Sequence, residues 1–377
     1  MVGCNCKIDM KLAIIGASQG QLPICIKAKE MGIETHCFAW SKNAVCKDVV
    51  DFFYPISILE KEKIAEKCKE LAVDGVVSNA SELTAEISAF VAEKLKLNGT
   101  PCSILEQLHD KHFVRQLSEN VETLSKPRFY KYEGEDLNIY PCVVKPCEGS
   151  AKAGVTFVEK PSDFQKAIKY AQESSDGEIL IEEFIEGKEL SIESISYKGK
   201  HHVIQITDKD SSSAPHFVEL GHHQPADLPV SMREKIKKMI PQLLSVIGYN
   251  DGASHIEVKY NGDKLYLIEV NLRGGGDEIS NKLVQMSSGI DYLRCMIEVA
   301  LNTFEQPKHI SAPAYAGIYY LCKQTENLLP FFEQAKDKEW FVEGEVFSKK
   351  LKESHSNYER DGYLIYKSNH KITPLDL

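Results

Sequence analysis

The chain has 377 residues, of which 43% are hydrophobic and 27% charged, so it is long enough for two or three packed domains. This composition is typical of globular proteins and argues against disordered, fibrous and membrane classes. The formal net charge of -10 excludes a broadly basic surface for nucleic acid or anionic membranes, so an anion site must be a local basic pocket.

No apolar stretch approaches the roughly 20 residues of a membrane span, and the first ten residues lack the apolar run of a signal peptide. We therefore expect a cytoplasmic protein with neither membrane nor nucleic acid as a partner. The 11 cysteines show no disulfide framework, so reduced thiols are expected. Because dimers are common among soluble enzymes, a homodimer is one expected assembly.

Residues 1–103 alternate short apolar strands with amphipathic helices. The pattern starts with a strand at 12–15, a helix at 22–31 and a strand at 35–38, and it continues to a helix at 82–95. This βαβ rhythm predicts a doubly wound parallel sheet.

The pattern changes after this first domain. One helical pattern covers residues 104–117, and strands separated by glycine turns follow from residue 127 onward. We predict an α+β body over residues 104–305, with a small subdomain at about 127–186, and a smaller closing region over 306–377.

A polar segment at residues 208–229 reads as an unusually long loop. It carries His216, Glu219, His222 and His223. Long loops inside compact domains are either functional or disordered, so this segment is a candidate substrate lid.

Residues 254–273 predict a β-hairpin with a turn near Asn261. A three-residue turn at 261–263 places Glu257 diagonal to Glu269 on one face, whereas a two-residue Asn-Gly turn sends Glu257 to the other face. We therefore expect the three-residue turn. The alternative for this segment is a surface strand with ordinary alternating charges.

In the second strand Glu269, Asn271 and Arg273 recur with period two and therefore share a face. Two carboxylates and an amide oxygen suit Mg²⁺, which keeps some waters and is commonly shared with substrate phosphates. Arg273 would stabilise developing phosphoryl charge. The set therefore predicts a nucleoside triphosphate site.

Two glycine-containing loops follow predicted strands. The strand that ends at Lys145 leads into small residues at 148–154, whose backbone N–H groups could approach phosphates, although a plain turn is equally compatible with this sequence. The loop at 16–21 departs from G-x-G-x-x-G at its third and sixth positions, so no dinucleotide cofactor is predicted. That loop either seats a substrate or permits tight packing, and we favour packing.

Taken in order with the acidic run IEEFIEGKE at 181–189 and the E-x-N-x-R strand, these motifs resemble the ATP-grasp superfamily. The resemblance covers about residues 12–305 and is closest to carboxylate-amine ligases of the amino-acid ligase and biotin carboxylase-like type. It implies a mixed α/β and α+β protein, in which a doubly wound parallel sheet, the pre-ATP-grasp domain, precedes an ATP-grasp fold. It also implies ATP and Mg²⁺, or Mn²⁺ in its place, as cofactors.

The resemblance implies a role for each matching residue. The implied nucleotide-binding residues are two phosphate-contacting lysines, two residues of a flap, three residues of the adenine segment and a ribose-binding acid, namely Lys111, Lys145, Gly149, Ser150, Glu182, Glu183, Ile185 and Glu189. The implied metal ligands are Glu257, Glu269 and Asn271, and the implied catalytic arginine is Arg273.

Four further residues are candidate substrate contacts. Glu219, His222 and His255 could bind a substrate carboxylate or amine, and each could equally be an ordinary satisfied polar residue. Gly275 allows close backbone approach in an acyl-phosphate pocket, although the glycines at 274–276 could also form a flexible strand exit.

The resemblance implies an enzyme that activates a carboxylate as an acyl phosphate, joins it to an amine and releases ADP and phosphate. Its partners would be small-molecule carboxylates and amines. A bicarbonate-using carboxylase or carbamoyl-phosphate type enzyme is the first alternative, disfavoured by the single ATP-binding unit and the lack of a biotin attachment motif. A non-catalytic nucleotide-binding protein is the second, disfavoured by the intact metal and arginine positions.

Overall fold

The computed structural model describes residues 10–148, 154–212 and 217–376. Its strands are β1 Lys11–Ile15, β2 Glu34–Phe38, β3 Phe52–Tyr54, β4 Gly75–Val77, β5 Phe129–Lys131, β6 Cys142–Pro146, β7 Thr156–Val158, β8 Ile179–Glu183, β9 Lys188–Tyr197, β10 Lys200–Ser211, β11 Glu219–Gln224, β12 Gly252–Asn261, β13 Lys264–Asn271, β14 Tyr315–Leu321, β15 Phe341–Val346 and β16 Gly362–Ser368. Its α-helices are α1 Leu22–Glu30, α2 Lys61–Leu71, α3 Glu82–Leu95, α4 Cys102–His109, α5 Lys111–Asn120, α6 Pro161–Ser174, α7 Val230–Ile247, α8 Val284–Ser288, α9 Tyr292–Ala300 and α10 Leu329–Gln334. Within these ranges no helix is both long and apolar enough to cross a lipid bilayer.

The N-terminal sheet has the order β3-β2-β1-β4, and all its strands are parallel. Leu12 and Ile14 of β1 pack on one side against α1 and α9, while Ala13 and Ile15 pack on the other against α2 and α3. Both faces of β1 are therefore buried, as a continuous apolar strand requires. The predicted parallel, doubly wound sheet is confirmed.

Two further sheets are antiparallel. The small sheet, in the order β5-β8-β6-β7, packs against α6. The large sheet has the order β13-β12-β9-β10-β11-β14-β16-β15, and α7 covers part of one face. Because β14, β15 and β16 continue this sheet, the residues after 306 extend the same layer that carries the acidic hairpin.

Two predicted elements were wrong. The long loop at 208–229 is absent, since β10 runs to Ser211 and β11 occupies Glu219–Gln224, so the connection is confined to 212–218. Both strands bury polar side chains on one sheet face. Their sequences therefore lack the apolar alternation from which a strand is predicted. The single helix at 104–117 is two helices, because Asp110 caps α5 by accepting a hydrogen bond from the His112 N–H at 2.8 Å.

The predicted turn of the acidic hairpin was also wrong. Asn261 pairs with Lys264, so the turn has two residues, with Gly262 in the left-handed region at φ 61°. Continued without interruption, this register would place Glu257 opposite Ile268. A β-bulge at Ile268 shifts the pairing by one residue, and Glu257 lies directly opposite Glu269.

A buried arginine holds this bulge in place. Arg115 of α5 donates hydrogen bonds to the backbone carbonyls of Leu267 and Ile268 at 2.8 and 2.9 Å. Its Nε donates to the Glu182 carboxylate of β8, and the Arg115 side chain is only 3% exposed. One side chain therefore joins the small sheet to the strand that carries Glu269.

We expect Arg115→Met to lower the free energy of unfolding by about 3–5 kcal/mol, because it leaves a buried carboxylate with one cation fewer and two carbonyls unpaired. Arg128→Met is the matched control, since Arg128 pairs with the neighbouring Glu183 at 2.8 Å but is 63% exposed. Arg128→Met should lower the free energy of unfolding by no more than about 1 kcal/mol. Chemical denaturation of both variants measures the two free energies of unfolding. Equal losses in the two variants would contradict the proposed role of Arg115 in holding the bulge.

Candidate functional site

The acidic hairpin presents its chemical groups on one face of the large sheet. Glu257 is paired with Glu269, and His255 is paired with Asn271, so the four side chains share that face. The predicted convergence of Glu257, Glu269 and Asn271 is therefore present, although the bulge produces it and not the expected turn. Arg273 lies two residues beyond the end of β13.

The two carboxylates differ in their surroundings. Burial would raise the pKa of Glu257, but Lys209 and then His255 lower it well below the usual range. The pKa of Glu269 is raised, first by its enclosure in the protein and then by the Glu257 charge. A hard divalent cation between the two oxygens would remove this repulsion, so the donor set fits Mg²⁺ or Mn²⁺.

Lys209 of β10 forms ion pairs with several carboxylates, and the sequence did not reveal this role. Its Nζ lies 2.6 Å from Glu257, 2.9 Å from Glu219 and 3.6 Å from Glu189, and its side chain is 1% exposed. These carboxylates come from three different strands. The pKa of Lys209 is raised well above its usual range, since burial lowers it but the carboxylates outweigh burial. Assigning residues 208–229 to a loop concealed this residue.

A second buried ion cluster lies at the small sheet. Lys145 of β6 and Arg115 both bind the Glu182 carboxylate. Burial lowers the pKa of Lys145 to about 8, against the attraction of Glu182. Burial would raise the pKa of Glu182, yet Arg115 and Lys145 lower it to about 2. Glu182 is therefore an anion whose side chain is committed to two cations.

Lys111 begins α5 beside the end of β6. Its backbone N–H donates to the Cys147 carbonyl at 2.9 Å, and its Nζ lies 3.5 Å from the same oxygen. Burial lowers the pKa of Lys111, against the attraction of Glu269. Lys111 therefore lies within the field of the acidic hairpin, between it and the small sheet.

The acidic run joins the small sheet to the large one. Glu183 ends β8, and β9 begins at Lys188, so Ile185 lies in the connection. Lys259 donates to the Ile185 carbonyl at 3.4 Å, and its Nζ lies 4.0 Å from Glu189. Register places Lys259, Glu189, Lys209 and His222 in one row across the large sheet. Lys259 is two residues from Glu257 on β12, so this row lies on the same sheet face as Glu257.

His222 lies in a cluster of charged groups. It is fully buried, with Nε2 3.3 Å from Glu219 and 3.6 Å from Asp277. Burial alone would lower the pKa of His222, but Asp277 and Glu219 raise it. Arg360, from the connection between β15 and β16, binds both oxygens of Asp277 at 2.7 and 3.0 Å and lies over the Tyr320 ring at 3.5 Å.

The backbone at this cluster is strained. Asp277 and Glu278 adopt φ of 50° and 63°, a region that non-glycine residues rarely occupy. Such conformations persist where surrounding contacts hold them, frequently at functional sites. Sequence reasoning missed Asp277 and Arg360, because their partners lie far away along the chain. The local signal in the sequence was the pair Gly276-Asp277, a combination typical of turns.

Arg273 reaches back along its own loop. It donates to the Gly274 carbonyl at 3.0 Å and to the Asn271 side-chain oxygen at 3.4 Å. Its Nε is buried and has no hydrogen-bond partner among the described atoms. Arg273 also lines a cavity of about 80 Å³ next to α3. Ligand pockets commonly measure roughly 300–1,000 Å³, so this cavity is too small for a nucleotide.

His255 is enclosed by two acids. Its Nδ1 donates to Glu193, and its Nε2 lies 3.2 Å from Glu257. Burial would lower the pKa of His255, but Glu193 and Glu257 raise it to about 9. Both ring nitrogens are engaged within the protein, so the described contacts leave neither for a substrate. Gly275 lies next to the Glu193 carboxylate, to which its N–H donates a hydrogen bond at 3.2 Å.

The structure thus brings most of the predicted residues that it describes to one face of the large sheet or to the small sheet that Arg115 joins to it. Gly149, Ser150 and His216 lie outside the described residues, so their predicted roles stay predictions. The functional signals that sequence reasoning did not find are Lys209, Glu193, Asp277 and Arg360. Lys209 and Glu193 are buried, Asp277 and Arg360 are half-buried, and each of the four is paired with residues distant in the chain.

Comparison with known proteins identifies a domain family within the chain. A family described as the ATP-grasp domain matches residues 138–282. A D-alanine-D-alanine ligase of Phocaeicola vulgatus is 30% identical over 172 residues, which cover 44% of this chain and 52% of that protein. A formate-dependent phosphoribosylglycinamide formyltransferase of Hydrogenovibrio crunogenus is 24% identical over 71% of this chain and 70% of its own. The chain therefore spans only about half the length of the first of these relatives.

Solved structures share the fold over nearly the whole chain. An L-amino acid ligase from Bacillus licheniformis superposes with a TM-score of 0.79 at 24% identity, covering 96% of this chain and 94% of that one. An N5-carboxyaminoimidazole synthetase from Staphylococcus aureus, complexed with ADP, gives a TM-score of 0.73 at 16% identity over 97% and 95%. Residues 138–282 are thus an ATP-grasp domain.

Proposed function

We propose that this protein is an ATP-dependent ligase that activates a carboxylate as an acyl phosphate and joins it to an amine, releasing ADP and phosphate. The observation that carries the proposal is the pairing of Glu257 with Glu269 beside Asn271 and Arg273. A structural strand has no need to hold two facing carboxylates, whereas a shared metal–triphosphate site does. The likeness to a D-alanine-D-alanine ligase and an L-amino acid ligase supports the same reaction class.

In this proposal ATP lies between the small and the large sheet. Lys111 and Lys145 contact its phosphates, and Gly149 and Ser150 are the predicted backbone donors to them. The connection from Glu183 through Ile185 holds the adenine by its backbone, and Glu189 binds the ribose hydroxyls. Glu182 acts indirectly, because its carboxylate is held by Arg115 and Lys145.

Glu257, Glu269 and Asn271 would hold Mg²⁺ or Mn²⁺, which neutralises phosphate charge when bound. Arg273 is placed to stabilise the negative charge that develops as the phosphoryl group moves to the substrate carboxylate. The amine then displaces phosphate from the acyl phosphate, so no covalent protein intermediate is needed. The protein contributes mainly positioning and electrostatic stabilisation.

We propose that the substrates lie at the cluster around His222, where Glu219 and Asp277 supply negative charge. Arg360 fixes Asp277 there, which gives the C-terminal strands a part in substrate selection. We further propose a cytoplasmic, homodimeric enzyme. The cysteines among the described residues are all free thiols, as expected in a reducing compartment.

ADP and phosphate release should be measured with ATP, Mg²⁺ and a panel of pairwise combinations of amino acids and other small acids and amines. We expect release only when both an acid and an amine are present. Glu269→Gln should reduce the rate by at least about 100-fold, since a metal ligand and a charge are lost. Glu234→Gln, an exposed acid on α7, should leave the rate unchanged.

Two results would overturn the proposal: no release with any pair, or the same rate in Glu269→Gln as in the unaltered protein. Release without an amine but with bicarbonate would favour the carboxylase alternative. Nucleotide binding without turnover on any pair would favour a non-catalytic protein.

The affinity for ATP should depend on pH through Lys145. Phosphates favour the protonated lysine, so with a pKa of about 8 in the free protein the affinity is full below pH 8 and falls above it. The fall should approach tenfold per pH unit between about pH 8 and pH 9.5. Lys145→Met should bind ATP more weakly and with a smaller pH dependence. Calorimetric titrations at pH 7.5, 8.5 and 9.5 test this, and parallel curves for the two proteins would refute it.

A further inference from the structure

A fully buried carboxylate lies next to the proposed metal site without being one of its ligands. Glu193 of β9 is 0% exposed, and register places it opposite His255 of β12. A buried carboxylate is unfavourable unless it is paired and hydrogen-bonded. Here both oxygens are used: one accepts from His255 Nδ1 and the other from the Gly275 N–H at 3.2 Å.

His255 transmits this contact to the acidic hairpin. Its Nε2 lies 3.2 Å from Oε1 of Glu257, and Lys209 Nζ lies 2.6 Å from the same oxygen. Both contacts use Oε1, and none of the described groups bonds Oε2. Glu257 is thereby held in one orientation with a free oxygen, as a metal ligand requires.

The same acid holds the loop after Arg273. A Cβ atom at Gly275 would come within 2.7 Å of His255 Nδ1 and 3.0 Å of the Glu193 carboxylate. Only glycine fits at this distance, so the close approach of the loop to Glu193 explains the residue at position 275. Ser280 fastens the loop from the other side, since its hydroxyl donates to the Gly275 carbonyl at 2.6 Å.

We propose that Glu193 and His255 form a buried positioning pair that orients Glu257 for the metal ion and fixes the loop that follows Arg273. They are positioning residues, because neither has a free polar atom for substrate or metal. The proposal rests on the proposed function for the identity of the metal–nucleotide site. Glu193 would then influence metal affinity through His255, without contacting the metal ligand Glu257 itself.

Binding of Mn²⁺ in the presence of ADP tests the pair without any substrate, with free Mn²⁺ followed by electron paramagnetic resonance. Glu193→Gln keeps the shape but removes the charge that fixes His255. We expect it to weaken Mn²⁺ binding at least tenfold and to raise the half-saturating Mg²⁺ for ADP release by a similar factor. The KM for ATP at saturating Mg²⁺ should change less than twofold.

His255→Gln should give the same loss, and the double variant should be no worse than either single variant, because the pair acts as a unit. Ser191→Ala is the matched control. Ser191 is also fully buried on β9, it is paired with Glu257, and its hydroxyl has no hydrogen-bond partner among the described atoms. Its replacement should leave Mn²⁺ binding within twofold.

Unchanged Mn²⁺ affinity in folded Glu193→Gln, or additive losses in the double variant, would overturn the proposal. Should Glu193→Gln not fold, Gly275→Ala decides, since its Cβ displaces His255: weakened Mn²⁺ binding supports the pair and unchanged binding overturns it. Weakened Mn²⁺ binding without ADP release from any substrate pair would leave the positioning pair standing while the ligase proposal falls. If the unaltered protein binds no Mn²⁺ with ADP, both proposals fall.

Discussion

The site depends on the electrostatic repulsion between Glu257 and Glu269, which two paired strands hold directly opposite each other. Facing carboxylates in a cleft are unfavourable when both are charged. The protein reduces the repulsion from one side only: Lys209 and His255 stabilise the negative charge of Glu257, while the pKa of Glu269 is raised. The remaining repulsion helps to raise the pKa of Glu269, and a cation between the two acids would relieve it.

The backbone geometry that creates this pairing is itself braced. The bulge at Ile268 is an irregularity in an antiparallel ladder, and its carbonyls need donors. Arg115 supplies them from α5 and, through Glu182, connects the same point to Lys145 of the small sheet. Arg115 therefore couples the acidic hairpin to the small sheet, which carries Lys145, the predicted phosphate-binding lysine. A movement of one sheet relative to the other would therefore disturb both the bulge at Ile268 and the Glu182–Lys145 ion pair.

The C-terminal strands do more than close the structure. Because β14 pairs with β11 and β16 pairs with β14, they continue the sheet whose cleft face carries His222. Arg360 then reaches Asp277, next to the loop that follows Arg273. The two positive φ values at Asp277 and Glu278 are maintained by these contacts and not by local sequence preference. The cluster around His222 therefore combines residues from parts of the chain that lie far apart in sequence.

The sequence by itself determined the parallel N-terminal sheet, the hairpin and the period-two spacing of Glu269 and Asn271, because local periodicity controls these features. It did not determine the register, because the bulge at Ile268 shifts the pairing by one residue and so places Glu257 opposite Glu269 despite the two-residue turn. It also concealed Lys209 and Glu193, which read as ordinary charged residues until partners distant in the chain bury them. Tertiary structure alone decided which charges meet, because a buried ion pair is a property of packing between strands and leaves no periodic signal in either one.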